Sequence, residues 1–128
     1  MFSLLGVPGL VGLTLAVAAC GGSGSSSPPP TIPPGALAVY AGPGLQLDQP
    51  AYTIAATNGQ VTIAYVNRDT QRHTLVVVDS SGITQGTKLE INKSNDESVG
   101  TFSLPAGQYK IGCEVPGHGA MKATLTVT

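Results

Sequence analysis

Six short runs of β-forming residues, separated by turn signals, constrain this chain more than any other feature. They are YTIAAT (52–57), QVTIAYVN (60–67), HTLVVVD (73–79), ESVGTFSL (97–104), QYKIGC (108–113) and KATLTVT (122–128). Asn58-Gly59, Ser81-Gly82, Pro105-Ala106-Gly107 and Pro116-Gly117 punctuate them. Short Val-, Ile-, Thr- and Tyr-rich runs at this spacing predict an all-β sandwich or barrel. No window of a dozen residues carries a helical stripe, and no internal repeat is present. The segment SGITQGTKLEINKSN (81–95) is ambiguous and is read as holding a loop.

Residues 1–35 follow different rules. Residues 2–19, FSLLGVPGLVGLTLAVAA, are apolar and uncharged, and Cys20 then opens CGGSGSSSPPPTIPPG. Small residues before a cysteine, as in VAAC (17–20), look like a bacterial lipobox, so 1–19 is expected to be a lipoprotein-type signal peptide and Cys20 its lipidation site. The first ten residues contain no Lys or Arg, so the usual basic n-region is absent. An uncleaved anchor helix is the alternative, because 18 largely apolar residues nearly span a bilayer. Residues 20–35 read as a linker, flexible in its Gly/Ser half and extended in its proline half. Fully stretched it would reach roughly 50 Å, a tether that holds a domain off a membrane. The folded domain is expected over 36–128. The expected location is therefore outside the cytoplasm, lipid-anchored to the cell membrane and facing the periplasm or the exterior.

Length and charge narrow the function classes. A chain of 128 residues suits one core. A net charge of -1, with Arg68, Arg72, Lys88, Lys93, Lys110 and Lys122 dispersed, argues against nucleic acid as a partner. No nucleophile–base pair, carboxylate pair or phosphate loop stands out, so an enzyme is not expected.

One stretch concentrates soft donor atoms. YKIGCEVPGHGAMK (109–122) holds Cys113, His118 and Met121 within nine positions. Side chains two apart share a strand face, so Tyr109, Ile111 and Cys113 point inward while Lys110 points to water. His73 opens another apolar strand with Leu75 and Val77 on its own face, so it sits at a core edge. Parity allows His73 and Cys113 to converge. The plain alternative is a core cysteine, ordinary histidines and a packed methionine; a Cys20–Cys113 disulfide is another. Two imidazoles and a thiolate with a weak axial thioether form the donor set of blue-copper electron-transfer sites. Soft thiolate and thioether donors can stay bound to Cu(I), and imidazole serves both oxidation states.

With these residues in view, the sequence resembles the cupredoxin family of small blue-copper proteins over roughly 37–128. LPAGQYKIGCEVPGHGAMKATLTV (104–127) resembles the family's closing hairpin and ligand loop, and NRDTQRHTLVV (67–77) its first-histidine segment. The resemblance implies a Greek-key β-sandwich or barrel and one type 1 copper held by His73, Cys113, His118 and an axial Met121. It implies a monomeric carrier of single electrons between redox protein partners, with His118 as the exit near the surface. The residues around it, Val115, Pro116, Gly117, Gly119 and Ala120, are small or apolar and would make a charge-poor docking face, or simply pack the loop. The sequence departs from the pattern in three places. Thr74 stands where many relatives carry an Asn that bridges the two ligand segments. Glu114 follows the cysteine where Ser or Thr is common, a charge near the thiolate unless it turns outward. The spacing of four residues from Cys to His and two from His to Met is a short combination. A copper-delivery or copper-buffering protein and a metal-free interaction module are the rival readings. Multicopper enzymes need more copper ligands than two histidines provide, and the dinuclear purple site needs two cysteines at one place.

Overall fold

The computed structural model describes residues 30–128; the expected signal peptide, Cys20 and most of the linker lie outside the described residues. Eight strands follow in order: β1 Leu37–Ala41, β2 Ala51–Ile54, β3 Gln60–Asn67, β4 His73–Val78, β5 Thr84–Ile91, β6 Glu97–Ser103, β7 Gly107–Gly112 and β8 Lys122–Val127. They form two mixed sheets, β1-β3-β6 and β2-β8-β7-β4-β5. The chain leaves β5 for β6 in the other sheet and returns to place β7 beside β4, as a Greek-key sandwich requires. The expected all-β architecture is therefore present. Among the described residues no helix is long and apolar enough to cross a membrane.

Alternation builds the core. Val61, Ile63 and Tyr65 of β3, Leu75 and Val77 of β4, Tyr109 and Ile111 of β7, and Leu125 and Val127 of β8 all point between the sheets. Fully burying each large aliphatic side chain contributes about 1.5–3 kcal/mol, which makes this layer the main source of stability. The hydroxyl of Tyr109 donates to the carbonyl of Pro105 at 2.7 Å and so fixes the entry to β7. The Asn58-Gly59 turn is tight, with both residues at positive φ, 53° and 74°.

Two strands depart from the sequence-based expectation. Residues 84–91, within the segment read as holding a loop, form β5 at the edge of the larger sheet. Only Leu89 and Ile91 of it are buried, so its first half lacks the apolar alternation that marks a strand. The ladder to β4 slips between Leu75 and Val77. Gly86 sits at this irregularity with φ of 64°, and a Cβ there would collide with the Phe102 ring. Such bulges are common on edge strands, where they bend the edge away from further pairing. β1, LAVYA, is short and alanine-rich, and it gains its place by pairing parallel with β3 some 26 positions along the chain (Leu37↔Ile63, Ala41↔Asn67). Local propensity does not register such a partner.

Candidate metal centre

Two connections at one end of the sandwich carry the site. The first, residues 68–72, crosses from β3 to β4 and delivers His73 as the first residue of β4. His73 is completely buried and pairs across the strand with Ile91. The second closes the β7–β8 hairpin. Cys113 lies one residue past β7, and its N–H donates to the carbonyl of Met121 at 2.9 Å, extending the ladder by one rung. Between them Val115-Pro116-Gly117-His118 makes a turn closed by His118 N–H to Val115 C=O at 2.9 Å. Proline in the second place and Gly117 at φ of 88° in the third are what a type II turn demands. A second turn, Met121 N–H to His118 C=O at 2.9 Å, returns the chain to β8. The spacing from Cys113 to His118 is thus set by backbone geometry.

These paths bring three donors together. One ligand-capable atom from each of His73, Cys113 and His118 lies within 4.8 Å of the others. The two rings are tilted by 46° with centroids 5.0 Å apart. Cys113 Sγ stands 3.7 Å from His118 Nδ1. A metal bonded at about 2.0 Å to nitrogen and about 2.3 Å to sulfur, at a trigonal angle, separates those atoms by about 3.7 Å. His73 Nδ1 is buried with no hydrogen-bond partner. A buried polar atom without a partner carries a desolvation cost, and a lone pair in that state fits a metal bond. The donor set and its spacing therefore fit the expected copper.

Met121 is wholly buried in the core at the far end of the loop. His118, only 8 % exposed, is surrounded by exposed Pro116, Gly117, Gly119 and Ala120. Across a groove beside Ala120 lies the 42–50 loop, with Pro43 and Leu45 exposed; Asp48 and Lys122 line that groove as well, so it carries a charge of each sign.

The sequence departures resolve in physical terms. Thr74 does brace the two ligand segments, through a hydroxyl rather than an amide. Its N–H donates to Cys113 Sγ at 3.4 Å and its Oγ1 lies 3.7 Å from the same sulfur. The same hydroxyl accepts the Glu114 N–H at 2.8 Å. The short side chain reaches because β4 and β7 are hydrogen-bonded neighbours, Val76 opposite Gly112. Glu114 turns outward to stand 3.9 Å from Lys88, within an exposed set that also joins Arg72 and Glu90. Such exposed pairs contribute little stability, so the set matters as surface charge alone.

Two further residues bear on the centre without a signature of their own in the sequence: one touches His73, the other feels the charge of Cys113. Asp69 receives the Nε2 of His73 with both carboxylate oxygens at 2.9 Å. Its signal is spacing alone, an acid four residues before the ligand. Tyr65, on β3, is fully buried with no partner for its hydroxyl. Burial first, and then the nearby Cys113 charge, hold its phenol protonated well above the usual range.

No protein-family model matches the sequence, and the search of curated proteins gives no match. Solved structures do match. Auracyanin A, a "blue" copper protein of the green thermophilic photosynthetic bacterium Chloroflexus aurantiacus, is 24% identical with a TM-score of 0.61, covering 73% of this chain and 98% of its own. Dithionite-reduced auracyanin of Roseiflexus castenholzii gives 20% identity and 0.61 over 73% and 97% of the two chains. A point mutant of amicyanin in its reduced Cu(I) form gives 18% and 0.55 over 76% and 86%. In fold this chain is a cupredoxin-like β-sandwich, and its His73–Cys113–His118 cluster fits a type 1 copper site.

Proposed function

We propose that this protein is a membrane-tethered blue-copper electron carrier that holds one copper through His73, Cys113 and His118, with Met121 as a weak axial donor. One observation carries the reading: His73, fully buried and with its Nδ1 unpartnered, converges with a thiol and a second imidazole. Bound copper would supply a one-electron couple. The chain's own residues do the rest. The Thr74 N–H is directed at the Cys113 sulfur and holds it in place. The buried His73 and the sandwich behind it keep water from one side, and a fold that fixes three ligands limits their movement as charge changes. His118, at the charge-poor end, offers the shortest way out to a redox protein partner docking there. A contact face of that kind favours brief association.

Support for the tether comes from the sequence, where VAAC (17–20) precedes a Gly/Ser/Pro linker. The chain is then exported and anchored by a lipid on Cys20, facing the periplasm or the exterior, and works as a monomer. Cys20→Ala should leave the precursor unprocessed or release it from the membrane fraction; normal processing and detergent partitioning would remove the tether from the reading.

Voltammetry on the copper-loaded protein tests the carrier role. A reversible one-electron couple with fast exchange is expected. Tight, colourless Cu(I) binding with no such couple would point instead to copper delivery or buffering, and no copper binding to an interaction module.

A further inference from the structure

We infer that Asp69 is a positioning residue of the centre: its carboxylate fixes the tautomer and orientation of His73, so that Nδ1 presents its lone pair to Cys113 and His118. The inference rests on the copper reading above for its redox consequence, and on the protein alone for the tautomer.

A neutral imidazole has one N–H and one lone pair, and its surroundings decide which nitrogen carries which. An ionised carboxylate only accepts, so Asp69 requires the hydrogen to be on Nε2. Nδ1 is then left as the lone-pair nitrogen, and it is the buried atom without a hydrogen-bond partner. A charge-assisted hydrogen bond of this kind is roughly twice as strong as a neutral one.

Asp69 is itself held in place. Its Oδ1 accepts the N–H of Gln71 at 2.8 Å, and its own N–H donates to Asn67 Oδ1 at 3.1 Å. The Asn67 amide, completely buried, donates onward to the Gln71 carbonyl at 2.7 Å. Gly42 packs so closely against Asp69 that a Cβ there would collide with the carboxylate. Gly42 also stands at φ of 76°, where other residues are strained. Only 14% of the Asp69 side chain is exposed. A loop that merely links two sheets does not need an acid clamped from three directions. Acid partners of ligating histidines orient the ring and strengthen its donation to the metal. The added negative charge should favour Cu(II) over Cu(I).

Two variants and two kinds of readout test this. In the copper-free protein, nitrogen NMR under conditions that keep both histidines neutral should show His73 with its hydrogen on Nε2. Asp69→Asn keeps an accepting oxygen and should preserve that tautomer, whereas Asp69→Ala should lose the preference. In the copper-loaded protein, Asp69→Ala should bind Cu(II) about 10–100-fold more weakly. Asp69→Asn should keep the copper and its colour but shift the Cu(II)/Cu(I) balance about tenfold toward Cu(I), a rise of roughly 59 mV in potential. Rescue of the tautomer by Asn but not by Ala, with the potential raised, would be the signature of positioning. Wild-type tautomer, affinity and potential in Asp69→Ala would overturn the inference. The metal-free measurement decides the tautomer even in a protein that proves not to bind copper, so the failure of the two readings can be told apart.

Discussion

The two segments that meet at the centre are built in opposite ways. The 67–74 segment is anchored in the sandwich: Asn67, His73 and Thr74 are buried, and each hydrogen bond of the Asn67–Asp69–Gln71 group satisfies another member. The 113–121 segment is instead shaped by two backbone turns; exposure does not set the two apart, since four of five residues are exposed in both 68–72 and 116–120. One fixes where a ligand stands; the other brings a ligand to where a partner can reach it. The contrast teaches that rigidity at this centre comes from the upstream side, and that Thr74 ties the loop to it. Changes in the loop should therefore alter the copper site while sparing the fold, and changes upstream should affect both.

The largest expected effect breaks the loop side alone. Cys113→Ser removes the thiolate, so the intense colour should vanish. Thermal unfolding of the metal-free protein should stay near the wild-type value, because Cys113 only partly packs against the core. Visible absorption and calorimetry on the same variant check both halves.

Thr74→Val cuts the tie between the segments. The Glu114 N–H loses its acceptor and the sulfur loses a hydroxyl neighbour. Stability should fall by about 1–2 kcal/mol, measured by denaturant unfolding. Hydrogen bonds around the cysteine sulfur tune the potential of such sites. With less density drawn from sulfur, Cu(II) gains and the potential should fall. An unchanged potential would show that the hydroxyl braces only the backbone.

Met121→Leu sharpens the comparison at the loop's return to β8. The substitution preserves volume, so stability should change by less than about 1.5 kcal/mol. Loss of a weak donor that favours Cu(II) should raise the potential by an amount on the order of 59 mV, with copper and colour retained. Equal potentials would make Met121 a packing residue and nothing more.

The smallest effect lies behind the upstream segment. Tyr65→Phe deletes a buried hydroxyl that has no partner, which should stabilise the protein by up to about 1 kcal/mol. The sign of its pH dependence follows from the raised phenol. The unfolded chain begins to release this proton near about pH 10, while the folded chain keeps it. Stability is thus fully present below that pH and is lost as pH rises above it. The variant should show a shallower alkaline decline, and not a flat one, because burial and Asp48 raise Tyr52 as well.

Much of this was legible in the sequence because it is local. β3 occupies the expected residues 60–67, and Cys113 and His118 share one hairpin whose turn is written as Pro116-Gly117. His73 could be placed because alternation with Leu75 and Val77 told which way it faces. What escaped depends on partners distant in the chain. β1 exists by virtue of β3, and β5 is a half-exposed edge whose polar first half looks like a loop. Thr74 read as the loss of a brace, since the register that sets β4 beside β7 is not visible in either strand. Asp69 sits in NRDTQRH, a stretch polar enough that no single acid stands out. Only the geometry shows which one faces the histidine.

Everything above turns on His73, Cys113 and His118 forming one type 1 copper site. Titrating the purified protein with Cu(II) while recording visible absorption tests it most directly. An intense blue band should rise linearly and stop at one equivalent of copper. A titration that gives no intense band, or one that keeps rising past one equivalent, would contradict it.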